Sequence, residues 1–301
     1  MKNDKKSLAV LAGAMFIFGS IGIFRRFIPL SSGLLAFTRG ILGAAVLFLF
    51  VLIKGSTAGS EGSIKTRFAS IGKKNVIWFC IVGTLIGINW MLLFEAYNHT
   101  SVSVATLCYY MEPTIVILLS PIFFGEKHTA KKLICAAAAI FGMILVSGVL
   151  EGGAGQSQGY TGVILGLSAA ALYSSVVIMN KKAGETDPYV MTIIELFAAA
   201  VIMLPYLALT EDFSAVGMTG KTLALLFIVG IVHTGMAYAM YFGSMDKLRA
   251  QTIALFSYID PVTALVLSAV ILREHMTFYG MAGAVLILGA AAISEYERSA
   301  K

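Results

Sequence analysis

Between residues 8 and 294 the chain is a succession of long apolar runs parted by short polar breaks. No other feature narrows the possible folds as much. An α-helix needs roughly 20 predominantly apolar residues to cross about 30 Å of hydrocarbon. These runs are continuous rather than alternating. A backbone inside lipid must satisfy its own hydrogen bonds, so the runs predict spanning helices and not a barrel. Ten are read as spans: 8–26, 32–53, 75–94, 101–123, 130–150, 160–180, 188–209, 222–243, 250–272 and 278–294. The predicted class is an all-α integral membrane protein of ten transmembrane helices. Composition agrees. Hydrophobic residues make up 58% and charged residues 13%, with a mean hydropathy of +0.86; soluble domains carry about 25% charged residues. The opening MKNDKKSLAVLAGAMFIFGS has the basic-then-apolar order of a signal peptide. No A-x-A site follows it, so it is read as a retained first helix.

The net charge of +6 lies in clusters between the apolar runs, where topology signals sit, and nucleic acid is excluded as a partner. With the N-terminus placed in the cytoplasm, 17 Lys and Arg fall inside and 4 outside: Arg25, Arg26, Lys221 and Arg273. This split predicts a multi-pass cell-membrane protein with both termini cytoplasmic. The Arg25–Arg26 pair dissents, and is expected to snorkel to the outer interface. The longest connection, residues 54–75, is Gly/Ser-rich and basic, and reads as a cytoplasmic loop. Cys80, Cys108 and Cys135 lie inside apolar runs without metal spacing and are expected to pack. No metal site and no cofactor is expected.

The chain repeats itself. At a constant offset of 148, Gly87 meets Gly235, Trp90 meets Tyr238, Phe94 meets Phe242, Tyr110 meets Tyr258, Glu112 meets Asp260 and Pro113 meets Pro261. Glu126 meets Glu274, and Thr129 meets Thr277. Five helices per half is an odd number, so the second half enters the membrane upside down. The predicted units are residues 1–150 and 151–301. Inverted repeats of this kind place a solute site near mid-bilayer where the halves meet.

The sequence here resembles the EamA-type members of the drug/metabolite transporter superfamily, over essentially its whole length. The residues carrying the resemblance are Phe37–Arg39, Glu112–Pro113 followed by Gly125–Glu126, and Asp260–Pro261 followed by Arg273–Glu274. The second half departs from the pattern at Glu195, where an arginine like Arg39 would stand, and at Arg273 in place of glycine. The resemblance implies a secondary transporter, often an exporter of amino acids or other metabolites. It implies a cavity lined mainly by helices 1, 3, 4, 6, 8 and 9.

Charged groups at membrane depth cost about 2.5–3.5 kcal/mol each on insertion scales, so each needs a partner or a wet cavity. Five fall there: Arg39, Glu112, Glu195, His233 and Asp260. Arg39 is expected to pair with Glu112. Glu195, His233 and Asp260 are read as a protonatable cluster that couples protons or binds a substrate ammonium group; neutral packing is the alternative. Pro113 and Pro261, each behind its carboxylate, are candidate hinges, because proline frees a backbone carbonyl. Phe16, Asn89, Trp90, Tyr109, Tyr173, Tyr238 and Tyr258 are candidate cavity residues, with Trp90 and Tyr238 as a gripping pair. Tyr97 and Tyr241 are assigned to packing or the interface. Glu126 and Glu274 are expected to sit near the N-termini of helices capped by Thr129 and Thr277. Gly83–Gly87 and Gly162–Gly166 are close-packing pairs.

The expected partners are a small solute, the lipid bilayer and, as candidate coupling ion, protons. The expected assembly is a monomer or homodimer. An intramembrane enzyme would need a metal constellation, a nucleophile motif or a polar cluster near one face, and the sequence offers none. An ATP-driven pump would need a P-loop, which is absent from the sequence.

Overall fold

The structure, a computed structural model, describes residues 5–57, 64–125, 129–147, 157–183, 186–211, 218–245, 248 and 250–298. The centre of the expected 54–75 loop and Glu126 lie outside the described residues. What is described is helical, with no strand among the described residues.

The helices are α1 (Lys5–Arg26), α2 (Ser32–Thr57), a short α3 (Ile64–Ala69), α4 (Lys73–His99), α5 (Val102–Tyr109), α6 (Glu112–Phe124), α7 (Ala130–Val146), α8 (Ser157–Ala183) and α9 (Pro188–Thr210). The next span is built from α10 (Gly220–Phe227), a π-helical stretch (Ile228–Met236) and α11 (Ala237–Met245). Then come α12 (Ala250–Ser257), α13 (Ile259–Leu267) with a π-helical end (Ser268–Leu272), and α14 (Phe278–Arg298). Among the described residues, seven helical stretches are long and apolar enough to cross a bilayer. Of the other three expected spans, 130–150 forms the 17-residue α7, and the last two form the shorter apolar helices Ile259–Leu272 and Phe278–Ile293. Large apolar side chains such as Ile122, Leu209 and Val285 face outward, as a lipid-bathed surface requires.

Local chemistry explains the helix starts. Ser101 accepts from the Val104 N–H, Thr129 from the Lys132 N–H, Thr219 from the Thr222 N–H and Thr277 from the Gly280 N–H. Each satisfies a donor that the first turn leaves open. Asp187 does the same for Tyr189 and Val190 ahead of Pro188, where proline costs no hydrogen bond.

Glycines let the helices approach. A Cβ on Gly83 would meet the Glu195 carbonyl oxygen and, at 2.7 Å, the Ala198 Cβ, so α4 lies directly on α9. Gly162 and Gly166 bring α8 onto Thr100 and Cys108 in the same way, at 2.6 and 2.8 Å. Close backbone approach is the main source of helix adhesion inside lipid, where no hydrophobic force acts between helices. α4 packs against both α8 and α9, α2 against α9, and α7 against α14. α1 packs against α11 and α13. Cys108 and Cys135 are buried as expected of packing residues; Cys80 is exposed instead.

Candidate functional site

The expectation of single helices through Pro113 and Pro261 is corrected. The chain breaks at Tyr110–Met111 and again at Tyr258, each time just ahead of a carboxylate. Glu112–Pro113 and Asp260–Pro261 therefore stand in the first turn of the helical segment that follows each interruption. Proline disfavours a helical conformation in the residue before it but suits a first turn, where its missing N–H is not needed. The acids gain from the same position, at the positive end of a helix. Discontinuous helices of this kind leave backbone groups free to face a cavity.

Both breaks face one cavity of about 380 Å³. Its wall comes from α1, α4, α5, α6, α8, α11, α12 and α13, with Arg39 reaching in from α2. Of the residues singled out from sequence, it gathers Arg39, Trp90, Tyr109, Glu112, Pro113, Tyr173, Tyr238, Tyr258 and Asp260. Tyr109 and Tyr173 lie 5.4 Å apart between ring centroids, and Phe18 meets Tyr238 edge-on at 5.3 Å. Tyr110 and Asp260, one from each half, lie together on this wall.

Arg39 is buried, with 6% of its surface exposed. Its Nε donates to Thr234 Oγ1 at 3.0 Å, and its guanidinium lies 3.9 Å from the centre of the Trp90 ring. Thr234 sits on the π-helical stretch and donates in turn to the Val229 carbonyl. Arg39 thus contacts Thr234 and Trp90, where a pair with Glu112 was expected. The two groups share the cavity wall instead. Trp90 is stacked on Arg39 and, like Tyr238, lines the cavity.

Five of the sequence candidates lie off the cavity wall. Phe16 is 52% exposed and borders a separate apolar groove with Tyr258 and Val262. The reason is helical period: Met15, Phe18 and Gly19 share the inward face of α1, and Phe16 lies about 200° around from Phe18. Asn89 stands behind the wall, donating to the Ala169 carbonyl at 2.5 Å and receiving the Tyr109 hydroxyl at 3.5 Å. His233 is buried between α1 and the π-helical stretch, where Nε2 meets Ser20 Oγ at 2.9 Å and the ring packs on Phe24. Glu195 is buried where α4 crosses α9. The expected cluster of Glu195, His233 and Asp260 is therefore not a feature of the cavity. Pro261 is buried in the first turn of α13.

Sequence reasoning missed Phe18, Thr106, Tyr97 and Tyr241, which line the cavity. The signal was available: Tyr97 follows Trp90 by seven residues and Tyr241 follows Tyr238 by three, which are one-face spacings on a helix. Gly19 was missed too. A Cβ there would strike the Asp260 carbonyl oxygen, and Thr263 Cβ at 2.7 Å, so only glycine lets α1 seat on the start of α13.

Off the cavity wall, a polar network joins residues from both halves. Arg26 donates to the Thr100 carbonyl at 2.6 Å and pairs with Glu274 at 3.2 Å. Glu274 also accepts the Val102 N–H at 2.8 Å and the Ser268 hydroxyl, which in turn receives Ser103 at 3.0 Å. Glu274 was expected to serve the helix that follows it. It serves α5 instead, because Thr277 already caps α14. The two arginines of the pair differ: Arg26 is exposed and Arg25 is not. Arg25 is 5% exposed and donates to the Ile28 carbonyl and Ser32.

With the geometry in place, comparison with known proteins is decisive. The sequence matches the EamA-like transporter family twice, over residues 5–148 and 160–295. The chain belongs to that family. It is 28% identical over 305 residues to the uncharacterized transporter YxxF of Bacillus subtilis, covering 100% of this chain and 94% of that protein. It is 24% identical to protein RarD of Escherichia coli, over 77% of this chain and 73% of the other. A probable amino-acid metabolite efflux pump of E. coli is 28% identical, over 65% and 68%. A solved crystal structure shares the fold with a TM-score of 0.63 at 18% identity, covering 97% of this chain and 98% of the other. This EamA-like protein is thus a multi-pass, membrane-embedded member of a transporter family. The family and the names of its relatives point to a non-enzymatic role.

Proposed function

We propose that the chain is a secondary transporter that exports amino-acid-sized zwitterions across the plasma membrane, by alternating access between two inverted five-helix halves, residues 1–150 and 151–301. One observation carries the reading: a single cavity holds a guanidinium, two carboxylates and seven tyrosines. Arg39 is the complement of a substrate carboxylate. Asp260 and Glu112 are complements of an ammonium group, and the phenols supply both stacking and hydroxyls. The 17-to-4 distribution of Lys and Arg supports cytoplasmic termini, with the Arg26–Glu274 network at the outer face. The network's hold on that face supports an alternate in which the outer side opens. Asp260 is the proposed coupling group, since a carboxylate at a helix break in a cavity accepts either a proton or the substrate cation. The name of the E. coli efflux-pump relative supports the substrate class.

Proteoliposomes loaded with a panel of amino acids test this, with and without a pH gradient. Flux of at least one member is expected, together with its loss in Arg39→Ala and loss of its pH response in Asp260→Asn. Absence of flux across the panel, or flux indifferent to both changes, would refute it.

A further inference from the structure

The cavity and the Arg26 network leave one strongly charged region of the molecule unused. Between residues 54 and 75 the sequence carries Lys54, Lys65, Arg67, Lys73 and Lys74 against a single acid, Glu61. The short α3 stands within this stretch. Its Phe68 holds it in place, meeting Phe48 of α2 edge-on at 6.3 Å and packing on the apolar cluster that contains Leu47, Val51 and Tyr189. An aromatic side chain turned inward between basic neighbours fixes a short helix at the level of a membrane interface.

Two of the cations converge. The Lys54 ammonium group lies 5.6 Å from the centre of the Tyr189 ring, and the Arg67 guanidinium lies 5.8 Å from the same ring. One ring and one carboxylate bring these like charges together. That carboxylate, Asp187, is already engaged through both oxygens. Oδ2 pairs with Arg67 at 3.3 Å, and Oδ1 caps α9 by accepting from the Tyr189 and Val190 N–H groups. Lys65, Lys73 and Lys74 are exposed on the same stretch of chain.

The surroundings decide what kind of anion the region suits. In the turns before Lys54, Leu49, Leu52 and Ile53 of α2 face outward. Just after Lys73 and Lys74, Val76 and Ile77 of α4 do the same. A ligand with a charged head and long apolar tails matches both parts, whereas a soluble anion matches only the first. We propose that Lys54 and Arg67 bind the phosphate of an anionic phospholipid, whose acyl chains lie along the exposed apolar residues of α2 and α4. Lys65, Lys73 and Lys74 add attraction around it. Anionic membrane surfaces draw basic side chains in general; convergence on Tyr189 gives one headgroup a defined place. Lys54 and Arg67 come from the first EamA-like repeat and Asp187 and Tyr189 from the second, so an occupied site joins the two. The site does not depend on which side the termini face or on the solute carried.

Native mass spectrometry of the purified full-length protein in detergent, titrated with phosphatidylglycerol or phosphatidylcholine, tests this by counting retained lipids. Wild type is expected to hold one phosphatidylglycerol more tightly than any phosphatidylcholine. Lys54→Gln, which leaves the Arg67–Asp187 pair in place, should weaken that binding by about fivefold, the contribution of one basic side chain at an anionic lipid. Lys54→Arg should bind as wild type does. Lys181→Gln combined with Lys182→Gln removes two charges held over Phe124 and Phe123 of α6, and should leave the binding unchanged. The proposal is overturned by equal retention of the two lipids, or by a loss in the Lys181 and Lys182 variant as large as that in Lys54→Gln. Displacement of the lipid by inorganic phosphate alone would also overturn it, by assigning the cations to a soluble anion.

Discussion

Replacing Glu274 with alanine is the sharpest test of how the two halves are held together at the Arg26 end. The carboxylate does three jobs there. It caps α5 through the Val102 N–H, a contact of the kind worth about 1 kcal/mol. It accepts from Ser268, a fully buried hydroxyl, whose loss of an acceptor costs a further ~1 kcal/mol. It pairs with Arg26 across side chains that are 32% and 17% exposed, which limits the ion pair to about 0.5 kcal/mol. Together, Glu274→Ala should weaken the Arg26 end by about 2–3 kcal/mol, and Glu274→Gln, which keeps an acceptor for Val102, by about 1 kcal/mol.

At about 1.4 kcal/mol per tenfold, the alanine variant shifts the balance toward an open end by roughly 30- to 150-fold. The assay is thiol labelling of Thr106→Cys, a cavity residue on α5, in protein with Cys80, Cys108 and Cys135 replaced. Labelling from the Arg26 side should rise strongly in Glu274→Ala and modestly in Glu274→Gln. In a double-mutant cycle with Arg26→Ala, the coupling should not exceed about 1 kcal/mol. Equal labelling of wild type and Glu274→Ala would refute the view that these contacts close the cavity. A coupling energy that accounts for the whole effect would refute the division of labour argued here.

Other substitutions follow from single geometric facts. Arg273 holds φ 54, a left-handed conformation, so Arg273→Gly should stabilise the protein by about 1 kcal/mol, read as a raised thermal midpoint in detergent. Gly19→Ala should disrupt the α1–α13 contact and reduce solute flux, whereas Gly289→Ala, with nothing within 4 Å of the added Cβ, should behave as wild type in the same assay. Arg39→Lys should fail to restore flux lost in Arg39→Ala, because a lysine cannot both lie flat on Trp90 and reach Thr234.

Much of this arrangement was legible in the sequence, and the parts that were not have physical reasons. Apolar run length located the helices because lipid permits little else. The repeat at offset 148 located both carboxylate–proline steps because chemically distinctive residues recur there without gaps. What run length cannot show is azimuth. Phe16 and Phe18 are equally apolar, and only their angle around α1 decides that one faces outward and the other lines the cavity. Partner choice was hidden for a similar reason. Arg39 was matched to the nearest opposite charge at similar depth, but a planar guanidinium finds in Trp90 and Thr234 a stacking surface and an acceptor of the right shape. Glu274 was matched to its sequence neighbour, since nothing local announces that α5 from the other half begins beside it.

The repeat reaches deeper than side-chain identity. Gly125 and Arg273 stand 148 residues apart, and both are left-handed, at φ 66 and 54. In sequence, Arg273 looks like a loss of the pattern; in the backbone, the pattern persists. Each follows the helix that begins at a carboxylate–proline step and turns the chain toward the next span. A helix end that returns in the same conformation in both halves, once with glycine and once against the cost of a Cβ, is held by its surroundings rather than by the preference of the residue. For Arg273 the surroundings are visible: Ser268 accepts the Glu274 N–H, and the Glu274 side chain anchors across to Val102 and Arg26. The strained residue thus sits one position before the carboxylate that anchors the Arg26 end. Arg273→Gly should consequently relax the backbone while leaving those contacts in place. Its thiol labelling at Thr106→Cys should match wild type even as its thermal midpoint rises, and a variant that gained stability but opened the Arg26 end would show that the left-handed turn, and not Glu274, sets the closure.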